Sequence, residues 1–384
     1  MKIYLDNSAS TPIDPRALDQ MLRDLKEHFG NPSSSHSFGQ DSRRRLLQAR
    51  QIIASYLRVK PNEVIFTSGG TESMNLAIRG LLEGKAKGHI LTSSAEHACV
   101  YSTVKLMEAD GHRATYLSPG LWGAVTPEAV QAAIQSDTRL IVLTAVNNET
   151  GVKTDISAIA AIAEKAGVPF LVDGVALLGK EPFTIQSGVS AMGFSGHKFH
   201  APKGIGLVFI RSSLKLRPLL SGGDQEFGRR GGTENLSGII GLAEAVRLLD
   251  SELPAASQQM FRLRDKLENT LLQELSGVAV NGQGPRIGNI TNLAFSGVEG
   301  ETLLAALDME GVAVSHGSAC SSGALEPSRI LLNMGISMEA ARSSIRFSLS
   351  RFTTEDEINR CASIVVRVVR RLREIVLRRT ENKA

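Results

Sequence analysis

Pro169-Phe170-Leu171-Val172-Asp173 is an apolar run that ends in a carboxylate. A run of this length without polar alternation suits a strand buried on both faces. Similar runs lie on either side of it: Val64–Thr67, His89–Ser93, Thr115–Leu117, Leu140–Val146, Met192–Ser195 and Gly206–Arg211. Between several of them stand amphipathic stretches such as Glu72–Leu82 and Ile156–Ala166. Strand alternating with helix predicts an α/β fold, a mainly parallel sheet flanked by helices. Ligands of such sheets bind beyond the carboxyl ends of the strands, which is where Asp173 stands.

The texture changes after about Asp250. A helical pattern, Ala256–Leu275, leads into short strands near Val278–Val280, Asn292–Phe295 and Val312–Ser315. A last helix opens on a capping box, Thr354 with Glu357. Its stripe is Ile358, Cys361, Val365, Val368, Leu372 and Ile375. The basic residues between Arg367 and Arg379 read as its solvated face. These features predict a smaller α+β domain: residues 13–255 form a large domain, and 1–12 plus 256–384 the small one. A chain of 384 residues is long enough for two cores.

Apolar residues make up 42% of the chain and charged residues 21%, the balance of a globular protein. The net charge is +4, and no basic run is interleaved with aromatics, which excludes a nucleic-acid module. Three scattered cysteines, Cys99, Cys320 and Cys361, are not a disulfide framework and suit a reducing compartment. Met1–Ser10 lacks the apolar core of a signal peptide, and no uncharged apolar run reaches membrane-spanning length. The expected location is cytoplasmic.

Two further segments belong with Asp173. Ser68-Gly69-Gly70-Thr71-Glu72 joins a strand to a helix. Its glycines permit close backbone approach, and the helix N-terminus offers N–H groups to a phosphate. Ser195-Gly196-His197-Lys198 follows another apolar strand. A lysine amine withdrawn from water loses basicity and can form a Schiff base. Each has an ordinary alternative: a capped turn, a capping aspartate, a surface lysine. Together they supply a phosphate cradle, a carboxylate and an amine at neighbouring strand ends. Those are the parts that hold pyridoxal 5'-phosphate, the carboxylate serving to keep its ring nitrogen protonated.

The chain resembles the cysteine desulfurases of the class V aminotransferase group, the iron–sulfur-cluster and nitrogen-fixation type, within fold type I of the pyridoxal-phosphate enzymes. The matching motifs begin with Tyr4-Leu5-Asp6-Asn7-Ser8-Ala9-Ser10-Thr11-Pro12 and Gly30-Asn31-Pro32-Ser33-Ser34-Ser35-His36. Thr67 to Asn75, Glu96-His97, Asn147-Asn148-Glu149-Thr150-Gly151, Ser195 to Lys198 and Pro202 to Gly206 follow in order. Arg230 to Asn235, Gly317-Ser318-Ala319-Cys320-Ser321-Ser322 and Ser344 to Ser348 complete the series.

The resemblance implies a role for each matching residue. Lys198 holds the cofactor, His97 stacks on its ring, and Asp173 pairs with the ring nitrogen. Gly70, Thr71, Ser195 and His197 belong to the phosphate site. Asn148 lies near the ring hydroxyl and the substrate, and Arg346 binds the substrate carboxylate. Thr233 reaches the phosphate of a second subunit, which implies a homodimer. Cys320 attacks the sulfur of L-cysteine, takes it as a persulfide and passes it to an acceptor protein such as an iron–sulfur scaffold. Lys198 takes the α-proton, Lys198 and His97 shuttle protons, and L-alanine leaves. No metal, nucleic acid or membrane is implied. The neighbouring alternatives are a selenocysteine lyase and a class V aminotransferase; a non-catalytic sulfur-relay scaffold ranks below them.

Three features depart from the pattern. The family's strand aspartate is followed three residues later by a glutamine that bonds the ring hydroxyl, whereas Asp173-Gly174-Val175-Ala176 has alanine there. That removes one hydrogen bond, a net contribution of about 0.5–1.5 kcal/mol. His316 replaces a small hydroxyl residue before the cysteine and reads as a solvated loop histidine. The tail after Arg379 is short, which argues against scaffold docking through a long C-terminal extension. Cys320 sits among Gly317, Ser318, Ser321, Ser322 and Gly323, a setting too polar for a core cysteine. Cys361 on the helix stripe reads as packing, and Cys99 as structural.

Overall fold

The structure, a computed structural model, describes residues 2–316 and 327–381. Its main sheet has seven strands, in the order Val64–Thr67, Gly206–Ile210, Val189–Ser195, Phe170–Asp173, Thr138–Thr144, His89–Ser93, Arg113–Leu117. Neighbours are parallel except at Gly206–Ile210, which runs antiparallel to both of its partners. All four residues of Phe170–Asp173 are buried. Phe170 and Val172 enter a core with helices Ser37–Leu57, Ile156–Ala166 and Leu236–Glu274. Leu171 points the other way, into a core with helices Gly70–Leu82 and Ala98–Ala109. Strand period two with apolar residues on both faces therefore dictates helices on both faces.

A three-stranded antiparallel sheet, Ser344–Ser348 beside Ile290–Phe295 beside Val278–Val280, carries a separate core. Helices Gly300–Met309 and Glu355–Glu381 cover it. Ile3–Tyr4 pairs in parallel with Val312–Ala313, so the N-terminus joins this part of the molecule.

The helix expected at 256–275 is the second half of one helix, Leu236–Glu274, 39 residues long with Pro254 inside it. Proline removes a helical N–H and crowds the preceding turn. Packing at both ends overrides it: Leu242, Val246 and Leu249 are buried in the first core, Leu263, Leu267 and Leu271 in the second. The capping box forms as expected, with Thr354 N–H donating to Glu357 at 2.8 Å and Glu357 N–H to Thr354 Oγ1 at 3.3 Å. Ile358, Cys361, Val365 and Val368 are fully buried, but the stripe fades at Leu372 and Ile375 is exposed.

Candidate active site

The carboxyl ends of the parallel strands open into one cavity of about 210 Å³. Gly70, Thr71, His97, Asn148, Asp173, Ser195, His197, Lys198 and Arg346 all line it. Three separate strand-to-turn junctions thus converge, as the strand-end positions predicted. Thr233 does not line this cavity and is exposed in the segment before helix Leu236–Glu274. Cys320 lies outside the described residues. The chain enters that region at Ser315, which pairs with Arg346 through Arg346 N–H to Ser315 O at 2.8 Å. It leaves at Ser328, whose hydroxyl donates to Glu149 Oε2 at 2.5 Å.

Asp173 is 4% exposed. Its Oδ1 accepts the N–H of Val175 at 3.0 Å, while Oδ2 lies 3.9 Å from Cys99 Sγ. His97 caps helix Ala98–Ala109: its Nδ1 accepts the backbone N–H of Cys99 at 3.2 Å. A neutral ring whose Nδ1 accepts carries its proton on Nε2. Burial, then the charges of Lys198 and Arg329, hold the His97 ring below the usual imidazole range against the pull of Asp173. His197 is pushed down to about 4 by burial and the nearby charges of Lys198 and Lys203. Both rings are therefore neutral at neutral pH.

Helix Gly70–Leu82 begins without a side-chain cap, so its first N–H groups face the cavity end. A Cβ at residue 70 would lie 2.6 Å from Val175 Cγ2, so any side chain there must displace Val175. Lys198 Nζ donates to the carbonyls of Ser8 at 2.5 Å and Ala9 at 2.9 Å. Arg346, 1% exposed, spans Asp6 Oδ1 at 2.7 Å and Asn148 O at 2.9 Å.

The chain resembles known proteins over nearly its whole length. The aminotransferase class-V family model matches residues 3–361. The chain belongs to the class-V aminotransferase family. A cysteine desulfurase of Nostoc sp. is 42% identical over 376 residues, 97% of this chain and 94% of that one. A solved NifS-like protein superposes with a TM-score of 0.89 at 33% identity, covering 96% of this chain and 99% of the other. A solved SspA in complex with cysteine gives 0.82 at 34% identity, over 92% of this chain and 100% of its own.

Pyridoxal phosphate is the cofactor of this family. The donor set fits it. An uncapped helix N-terminus and Ser195, whose Oγ lies 3.5 Å from where a Gly69 Cβ would be, make a concave anion site. A buried strand-end carboxylate and a lysine amine complete the set.

Cys99, read as structural, also lines the cavity, because the helix starting at Ala98 turns it toward Asp173. One expectation needs correction. His316, read as solvated, is half-buried, and its Nδ1 donates to Ser344 O at 2.7 Å. Ligand atoms of His97, Cys99 and Asp173 lie within 4.8 Å of one another, but Nδ1 already accepts a backbone N–H and burial, with Asp173 and Glu96, pushes the Cys99 thiol up. They form a hydrogen-bonded cluster. Ser8, Ala9 and Lys180 were not named from the sequence. The first two were visible only as part of the N-terminal motif, and Lys180 carried no local signal.

Proposed function

We propose that this protein is a pyridoxal-phosphate-dependent cysteine desulfurase. The observation that carries the proposal is the single cavity joining Asp173, Lys198, His97 and Arg346. Lys198 would bind the cofactor, Asp173 its ring nitrogen, and Gly70, Thr71, Ser195 and His197 its phosphate. Bound there, the cofactor draws electrons from the substrate's α-carbon. Asn148 and the guanidinium fork of Arg346 would orient the carboxylate of L-cysteine. Lys198 would take the α-proton, and the Nε2–H of His97 would face the ring side of the site. The Cys320 thiolate would attack the substrate sulfur: an S–S bond forms, the C–S bond breaks, and the substrate carbon leaves reduced as L-alanine. Cys320 keeps the sulfur as a persulfide for an acceptor protein such as an iron–sulfur scaffold.

The exposed Thr233 suits the homodimer reading, in which it serves the partner's phosphate. No helix among the described residues is long and apolar enough to cross a membrane, and we assign the protein to the cytoplasm. Purified protein should show a visible cofactor band and should make alanine and sulfide from cysteine in the presence of a reductant. Lys198→Ala should lose both. An aminotransferase or a relay scaffold would instead give no sulfide.

A further inference from the structure

His97 stands at the end of a buried loop between strand His89–Ser93 and helix Ala98–Ala109. Ala95 and Glu96 in that loop are 3% and 0% exposed. Buried carbonyls need donors, and these find them on distant side chains. Arg329 Nη1 donates to Ser94 O at 2.5 Å, and Nη2 to Glu96 O at 2.6 Å. Asn333 Nδ2 donates to Ser94 O at 2.7 Å, and Asn147 Nδ2 to Ala95 O at 3.3 Å. Arg329 supplies two of these four bonds, and a charged donor makes the stronger ones.

The same guanidinium grips the chain beyond His97. It lies 4.1 Å from the centroid of the Tyr101 ring, one turn into the helix that His97 caps. Arg329 therefore brackets His97, with carbonyls on one side and an aromatic face on the other. Its own place is fixed by separate contacts. It opens helix Arg329–Asn333, whose Ile330 and Leu331 pack with Ala95, Met334 and Ala341. Ser328, just before it, is bonded to Glu149, the neighbour of Asn148. In sequence, 235 residues separate Arg329 from Ser94.

We propose that Arg329 is a positioning residue for His97: its planar fork fixes the main chain on either side of the imidazole and so sets where that ring stands in the site. Arg329 is not among the residues that line the cavity, so it acts through His97 and not on the substrate. A lysine cannot copy a two-point fork. The proposal rests on the cofactor-binding reading given under Proposed function.

The test compares wild type with Arg329→Met, Arg329→Lys and Asn333→Ala. Thermal melting identifies the variants that fold, and Arg329→Lys serves where Arg329→Met does not. Three quantities are read: steady-state kinetics with cysteine, visible circular dichroism of the bound cofactor, and amide hydrogen exchange over residues 94–99 in cofactor-free protein. In Arg329→Met, kcat should fall about tenfold or more, because a displaced proton-transfer group costs rate. KM should stay within about twofold, because Arg346 still holds the carboxylate. The dichroism should weaken, and exchange over the loop should quicken about tenfold. Arg329→Lys should fall between the two. Unchanged exchange, or an unchanged kcat, in a folded Arg329 variant overturns the proposal. So does an equal loss in Asn333→Ala, which keeps the fork and gives up only the other bond to Ser94 O; that is the mark of helix docking alone. A wild type with no visible band overturns the cofactor reading instead, and the exchange measurement, made without cofactor, still decides whether Arg329 holds the loop.

Discussion

Asp173 and Lys198 were legible in the sequence because each follows a buried strand directly, and strand ends share one side of a parallel sheet. Arg346 was legible only through family likeness, since its strand belongs to the other sheet. Its fork reaches Asp6 and Asn148 at once. Arg346→Lys should raise the KM for cysteine about tenfold or more, with a smaller change in kcat, because one ammonium replaces a two-point fork; steady-state kinetics checks this. The histidines set an acid limit. His200 is held near 3 and His197 near 4, below the ordinary value of 6.5, burial being the first cause of both. Between those values and 6.5 the unfolded chain binds more protons than the folded one, so stability rises with pH through this window and is lost as pH falls. The melting temperature should therefore fall on acidification from pH ~6.5 to ~4. His200→Gln should flatten that slope, and a slope unchanged from wild type would contradict the assignment. Cys99 and Lys180 were not legible: their approach to the cavity depends on how whole turns pack, which no local pattern encodes.

Strands and short helices were read well, because burial on both faces leaves continuous apolar runs. The edges were not: Leu140–Val146 became Thr138–Thr144, and Thr115–Leu117 began at Arg113. Helix Leu236–Glu274 was half missed: only its second half was expected, while two separate cores keep the helix continuous through Pro254. The Ser68–Glu72 turn is the element on which cofactor binding depends. Gly70→Val should overpack against Val175 at a cost of about 1–3 kcal/mol, weakening cofactor binding in equilibrium dialysis. Val175→Ala in the same chain should restore part of it. At the last helix, Thr354→Ala should lower stability by about 0.5–2 kcal/mol in denaturant titration, because the N–H of Glu357 loses its acceptor.

Over the whole molecule, the N-terminal segment joins the two sheets. Ile3–Tyr4 pairs with Val312–Ala313, Asn7 and Ser8 bond to Ser348, and Thr11 bonds to the turn carrying Lys198. Thr11 Oγ1 donates to His197 O at 2.9 Å and accepts the His200 N–H at 2.8 Å. Thr11→Val should lower stability by about 1–3 kcal/mol, since the buried His200 N–H loses its acceptor, while His197 O keeps the Thr11 N–H. The sequence places residues 1–12 with the small domain, but no local pattern foretells their bonds to the Lys198 turn and to Ser348, which span 186 residues of chain or more. The central claim is that this cavity delivers cysteine sulfur to Cys320, and a single turnover without reductant or acceptor tests it most directly. Wild type should release about one alanine per cofactor-bearing site, and intact-mass analysis should find one added sulfur atom on Cys320. Cys320→Ala should keep the visible cofactor band and release no alanine above background. Undiminished alanine from Cys320→Ala, or a sulfur-free Cys320 after the wild-type burst, would contradict the account.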